Sequence, residues 1–324
     1  MAPTQREPSR GAGTTAADSL ARIEAGDIPR EAERRLAGLR ESGGSFTSDL
    51  STADFALCHQ LGLRPLAQVM GSSIYQVGYQ QSVGWMGPGA GAVFPAAGVV
   101  TELDTLTNAW NEARQRALHR LAREAQEVGA DAVIGVDVRA GARDFGESSM
   151  SSGAIEYSVV GTAVRRERAS DPTNRDRRAI GTHERELVLT ELTVADYTKL
   201  LNADVEVAGI VGWSSVCFSM FSYSTAVRAQ SGLLAGGESF ELREFTQAIY
   251  AARERVMERL GRQAQALGAS GIVGVRINHS ISRQALGQSA GSGLVVTFHA
   301  IGTAIHDTAG TKPAAPKPTI DLTG

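Results

Sequence analysis

The sequence predicts an α+β fold made twice from one domain, and three observations lead there. The stretch from Thr107 to Val136 aligns without a gap on that from Thr246 to Val275, and nearly half of the aligned positions are identical. Each copy carries an apolar stripe at helical spacing that lasts about seven turns. Behind each stripe come short β-branched runs alternating apolar and polar residues, the two-residue period of a sheet with one buried face. Length agrees, because 324 residues exceed one ordinary domain.

The repeat reaches beyond the helix. Leu50–Asp54 pairs with Leu192–Asp196 and Ser72–Ile74 with Ser214–Val216, both at the same offset, and Gly161–Ala163 pairs with Gly302–Ala304 at an offset shorter by a single position. A near-constant offset means loops of nearly equal length, so each copy is a complete domain of about 120 residues. The expected organisation is an N-terminal extension with a short helix over 1–45, a first copy over 46–168, a linker over 169–188, a second copy over 189–307 and a disordered tail over 308–324.

The elements follow in order. The first fifteen residues and the Pro/Lys-containing tail have little to bury and are expected to lack structure. Asp27 caps a helix with Pro29 at its first position, running to about Arg40 and anchored by Leu36 and Leu39. Ser51 and Thr193 each precede an aspartate by three residues, a variant capping box that opens a short helix in each copy; the first stops near Gly62. Strand-like runs follow at Leu66–Tyr79 and Val207–Ser219, then a long loop. The long helix of the first copy carries Leu103, Leu106, Trp110, Ala113, Ala117, Leu121, Ala125 and Val128 on one face. That of the second carries Leu242, Phe245, Ile249, Ala252, Val256, Leu260, Ala264 and Leu267. Gly129 and Gly268 supply left-handed stops. Strands at Ala132–Val138 and Ile272–Ile277 lead through turn-rich stretches, Gly141–Gly153 and Ser280–Gly293, into a last strand. There Ile155, Tyr157 and Val159 alternate with Glu156 and Ser158, predicting one apolar and one polar sheet face. The unit is β–α–β–β with an added N-terminal helix.

Composition removes several classes of function. With 32 Lys+Arg against 35 Asp+Glu the net charge is −3, which excludes a globally basic nucleic-acid surface. The segment Arg165–Glu186 holds seven arginines and five acids but no aromatic stacking partners, and reads as a solvated linker. Met1–Leu20 has no apolar signal core, and the longest nearly apolar stretch, Ala90–Val100, falls well short of the roughly 20 residues of a membrane span. Two cysteines, Cys58 and Cys217, make no disulfide framework, and a cytoplasmic location is expected.

Candidate sites are sparse. Soft metals want thiolate and imidazole ligands converging from several directions. Cys58 and His59 are neighbours on a helix and diverge by about 100°. His299, on the polar face of the last strand, could converge with its copies on the axis of an oligomer. These three are the metal candidates, and no soft ligand recurs between the copies. Glu102, Asp104, Glu112 and Glu124 alternate with arginines and read as solvated ion pairs. Asp131 and Asp137 flank a strand and fit a carboxylate pair or a polar surface, and the second copy has Ser270 and Arg276 there. No nucleophile elbow is present, and no catalytic residue is assigned. The glycine-rich segment from Gly84 to Pro95 lacks the helix start that a phosphate loop needs. Its Trp85, Met86 and Phe94, with Leu233 and Leu234 in the corresponding loop, suit subunit or partner contacts. The repeated pairs Ser72–Ser73 and Ser214–Ser215 fit either a strand edge or the wall of a small pocket.

The run Ala125–Val136, ahead of a strand ending in Gly161–Val164, resembles the YbjQ-like family, also called the heavy-metal-binding domain family. The resemblance covers roughly Thr47–Arg168 and Leu189–Asp307; the second copy departs from it at Ser270, Gly271 and Ile305. It implies a dodecin-subunit-like fold, pentameric rings of single-domain members, and a metal-binding label, with no catalytic residues. The expectation is therefore a non-enzymatic homo-oligomer, with five chains in two stacked rings as one arrangement, and without nucleic-acid partners. The alternative is a protein binding a divalent heavy metal or a flat flavin-like cofactor, for which Trp85, Trp110 and Trp213 are the available stacking residues.

Overall fold

The computed structural model describes residues 10–42, 46–76, 99–143, 154–166, 187–220, 240–285 and 292–307. In chain order helices α1 (Arg10–Glu24) and α2 (Arg30–Ser42) precede the first repeat, which contains helix α3 (Thr52–Gln60), strands β1 (Leu63–Gln76) and β2 (Val100–Glu102), helix α4 (Asp104–Glu127), and strands β3 (Ala132–Arg143) and β4 (Ala154–Arg166). The second contains β5 (Val188–Leu189), α5 (Val194–Asn202), β6 (Val205–Met220), the long helix α6 (Arg243–Ala266), β7 (Gly271–Ala285) and β8 (Ser292–Asp307).

The predicted unit is present twice. Ser51 Oγ accepts from Asp54 N and Thr193 Oγ1 from Asp196 N, both at 3.1 Å, so both capping boxes form. The long helices have 24 residues each, and Gly129 and Gly268 stop them at φ 69° and 68°. Small residues let each helix lie close on its sheet. In the first repeat a Cβ added to Gly71 would stand 1.8 Å from the carbonyl oxygen of Ala117, so only glycine permits this approach. Gly135 and Gly274, at φ 67° and 65°, occupy matching bulges where β3 and β7 shift register.

The structure corrects several sequence expectations. Helix α1 begins at Arg10, inside the first fifteen residues for which the composition predicts no structure, and runs on to Glu24. It pairs with α2 through Ser19–Glu31 and Arg22–Glu33 contacts of 2.8 and 2.6 Å, and its own apolar stripe is too thin to announce it. The amide of Arg30 in α2 donates to Ser19 Oγ of α1, while Asp27 accepts from Ile28 N. Strands β3 and β7 run on into the stretches read as turns. The short strands β2 and β5 were not foreseen.

These two short strands tie the repeats together. One sheet has the order β1-β4-β3-β5 and the other β2-β6-β8-β7. Thus β2, which belongs to the first repeat, pairs antiparallel with β6 of the second, and β5, which opens the second, pairs parallel with β3 of the first. In the second sheet β6 and β8 are buried on both faces, whereas β7 leaves Ile277 and Ile281 exposed. Val211, Cys217, Phe298 and Ala304 pack with α6, whereas Val216, Phe218 and Val295 join the core around α4. The expected alternation is present in β4, where Ile155, Tyr157 and Val159 are buried and Glu156 and Ser158 half-buried, whereas the neighbours Val295 and Val296 of β8 are buried in opposite cores. A third cluster, with Cys58, Leu63, Val164, Leu192, Val194 and Tyr197, joins α3 and α5 beneath both sheets. No helix among the described residues is long and apolar enough to cross a membrane.

Candidate functional site at the junction of the repeats

The densest polar chemistry lies where the first repeat meets β6. Strand β6 has only β2 beyond it, so its outward amides and carbonyls at Ser214 and Val216 need other partners. Helix α4 provides them. Asn111 donates from Nδ2 to Ser214 O at 2.8 Å and accepts from Ser214 N on Oδ1 at 3.1 Å, imitating a neighbouring strand with one side chain. One turn earlier Thr107 Oγ1 accepts from Val216 N at 2.9 Å, and Leu103 N donates to Val216 O at 2.7 Å. Glu102 accepts the hydroxyl of Ser215 at 2.7 Å and that of Thr107 at 3.3 Å, and pairs with Arg255 at 3.6 Å.

Deeper in the junction, the His299 ring meets Trp110 edge-on with centroids 4.5 Å apart, and its Nδ1 shares a hydrogen bond of 2.8 Å with Ser214 Oγ. Burial, with the nearby Arg114 guanidinium adding to it, pulls the imidazole down to about 4, so it is neutral at pH 7. Arg114 is itself buried; its guanidinium lies 5.8 Å from the centre of the Trp213 ring, and its Nε has no partner among the described residues. Across the other seam Arg276 donates to Glu191 Oε2 at 2.9 Å and to Val136 O at 3.1 Å. Burial raises the Glu191 carboxyl despite that arginine. Thr190 and Thr303 hydroxyls bond at 2.9 Å beside it.

The structure separates the residues singled out as metal candidates. Cys58 is fully buried in the cluster beneath the sheets, where burial and the Asp54 charge push its thiol up to about 11. His59 points instead to an open cleft of about 630 Å³, edge-on to Phe55 at 4.8 Å, among Arg40, Arg64 and Arg165. Three guanidinium groups repel a cation there. His299 is enclosed by Trp110 and Ser214. Cys217 is buried beneath Arg255, whose Nη1 lies 3.2 Å from the sulfur. Among the described residues no three His, Cys, Asp or Glu side chains converge as a metal group would need. These residues do not fit a resident heavy-metal ion. Trp85, Met86, Phe94, Leu233 and Leu234 lie outside the described residues.

Other carboxylates also depart from the sequence reading. Glu124 is no solvated ion-pair member: at 5% exposure it accepts from Met70 N and from Arg35, both at 2.9 Å. Glu102 faces the second repeat, as described above. Asp131 accepts from Arg166 N, whereas Asp137 pairs with Arg139, so the two serve separate partners. The serine pairs lie along strand edges, and Ser214 and Ser215 bind across the junction. The sequence does not mark Asn111, Thr107 or Arg114 as site residues. In Asn111 the available signal was a polar residue on the apolar stripe of α4, replaced by Tyr250 in the second copy.

Comparison with known proteins places these repeats. Residues 96–167 and 200–308 match the YbjQ family, described as "Putative heavy-metal-binding". An encapsulin nanocompartment protein of Mycobacterium tuberculosis is 33% identical over 268 residues, spanning 82% of this chain and 87% of its own length. UPF0145 proteins of Methanococcus vannielii and Thermosipho africanus are 41% and 37% identical over 63 and 70 residues, about a fifth of this chain and 53% and 58% of their own lengths. No solved structure matches the chain.

Proposed function

The chain belongs to the YbjQ family, in two tandem copies, and from that premise we propose that it is a self-assembling, non-enzymatic structural and binding protein of the cytoplasm. The observation that carries this reading is the junction itself. Two copies of one domain are held by exchanged strands, a buried asparagine bridge and a buried arginine, the anatomy of an interface between subunits. The relative named as an encapsulin nanocompartment protein supports a role within a large protein assembly. The family's five-fold rings would allow two stacked rings, one from each copy. The direct pairing of β2 with β6 favours the copies side by side in one ring.

Native mass measurement tests the proposal. Assembly gives a multiple of the 34.1 kDa chain at micromolar concentration, and a single-chain mass refutes it.

A second reading, small-ligand binding, draws support from the cleft beside His59. Its lining of Phe46, Phe55 and three arginines favours an aromatic anion over a heavy-metal cation. A thermal shift with flavin mononucleotide and none with zinc is the expected pattern. The reverse would restore the metal reading.

A further inference from the structure

The contact between the repeats is head-to-tail, because different surfaces of the same domain meet. The first repeat contributes a leading face: strand β2, the start of α4 and the outer edge of β3. The second contributes a trailing face: the edge of β6 and the segment β5. Each repeat is a copy of the other, so the second repeat carries a leading face of its own and the first a trailing face.

Among the described residues both are open and already shaped. On the leading side, Glu241, Thr246 and Tyr250 stand where Glu102, Thr107 and Asn111 stand in the first repeat, at the constant offset of the two long helices. Thr246 Oγ1 already donates to Glu241 at 2.8 Å, the same internal bond that Thr107 makes to Glu102. Tyr250 is 60% exposed. Strand β7 ends its sheet, whereas the equivalent β3 is covered by β5. On the trailing side β1 ends its sheet, whereas the equivalent β6 is covered by β2. Ile74 of β1 is 65% exposed, whereas its counterpart Val216 is 1% exposed inside the junction. Arg116, counterpart of the Arg255 that pairs with Glu102, has a buried Nε with no partner among the described residues.

We propose that the leading face of the second repeat docks on the trailing face of the first repeat of another copy of this chain, reproducing the internal junction between chains. This rests on the self-assembly reading above and names its surfaces and register. Glu241 and Leu242 add to the edge of β1 at Ile74 and Tyr75 as Glu102 and Leu103 add to that of β6 at Val216 and Cys217. Because Glu102 is opposite Cys217, Glu241 comes opposite Tyr75 and within reach of the Arg116 guanidinium. Thr246 takes the amide of Ile74. One contact differs for a visible reason. The carbonyl of Ser72, which would need the equivalent of Asn111, is already bonded at 2.6 Å by Arg120, which also holds Ile23 O of α1. Tyr250 meets instead the exposed apolar side of α1 at Leu20 and Ile23. Head-to-tail contacts repeat from chain to chain, and each chain adds two repeats, so a ring that closes on them has an even number of repeats.

Cross-linking tests the register. The Glu102–Cys217 pair lies between strands as a pair not directly hydrogen-bonded, the spacing a cross-strand disulfide can bridge. A mixture of the Glu241→Cys and Tyr75→Cys proteins should, on oxidation, give a covalent species of twice the 34.1 kDa chain that neither protein gives alone. Ile74→Arg should keep the circular dichroism spectrum and lose the assembled native mass. An assembled native mass without the cross-link, or an assembled Ile74→Arg protein, overturns the junction and leaves self-assembly standing. A wild-type native mass of one chain overturns both.

Discussion

Replacing Asn111 by alanine should separate the stability of the junction from that of the repeats. Asn111 and Ser214 are 6% and 2% exposed, so neither loses its partner to water. The substitution strips Ser214 of the donor to its carbonyl and the acceptor of its amide. A buried polar group left unmade costs about 1–3 kcal/mol, so two cost about 2–6 kcal/mol. Gln263→Ala is the internal control. Gln263 Oε1 accepts a single bond, from Gly212 N at 3.0 Å, so its loss should cost about half as much. Urea unfolding followed by tryptophan fluorescence suits the question because Trp110 and Trp213 flank the junction. The expected result is a larger loss for Asn111→Ala than for Gln263→Ala, with the second repeat unfolding at lower denaturant than the first. A loss below about 0.5 kcal/mol, the range of an exposed substitution, would refute the argument that this side chain completes the edge of β6.

Further outcomes follow from the same structure. The imidazole of His299 ionises near 4 in the folded chain but near 6.5 when unfolded, so as pH falls through that window the unfolded state takes up the proton first and stability drops. The difference in unfolding free energy between wild type and His299→Gln should shrink by up to about 3 kcal/mol from pH 7 to pH 4, and a pH-independent difference would refute the enclosure of this ring. Gly71→Ala should cost more than about 3 kcal/mol or abolish soluble expression, because its Cβ would strike helix backbone, whereas Gly38→Ala, with open space around it on α2, should stabilise by about 0.5–1 kcal/mol; comparable melting temperatures would refute the close approach. Cys58 and Cys217, both buried with thiols raised by burial, should react with a thiol reagent only after unfolding, and rapid labelling of native protein would contradict that placement.

What could be read in the sequence depended on whether the relevant signal was local. The capping serine and threonine, the glycine helix stops and the helical stripes are determined within a few residues, and each is found where its chemistry requires it. Strands β2 and β5 have three and two residues, too few to carry a period. Their partners lie far away along the chain, and their pairing follows from the placement of whole repeats. The role of Glu124 is hidden for a similar reason. Arg120 stands four residues before it on α4, at ion-pair spacing, but its partners are the amide of Met70 and Arg35 of α2. Helix α1, with glycine and threonine near its start, is held by contacts to α2 and α4 that its own sequence does not display.

The differences between the copies carry as much meaning as their identities. At equivalent positions, Asn111 corresponds to Tyr250, Gly71 to Trp213, and Tyr75 to Cys217. In the second repeat the residues along β6 meet the other copy within the same chain: Trp213 lies between Arg114 and Arg259, and Ser214 is bonded by Asn111. In the first, Arg116 stacks on Tyr75 and Arg120 crosses to Ser72, with α1 over it. A duplication that only lengthened the chain would let such positions drift without pattern. The pairs Asn111/Tyr250, Gly71/Trp213 and Tyr75/Cys217 lie along the edges of β1 and β6 and on the side of the helix that meets them. Once two domains are covalently joined, one junction is always made and can be sealed with buried polar bonds. The other is made only when chains meet, and its surface must also remain soluble alone. Buried Asn111 at the first and half-exposed Tyr250 at the second are the residues those two demands select.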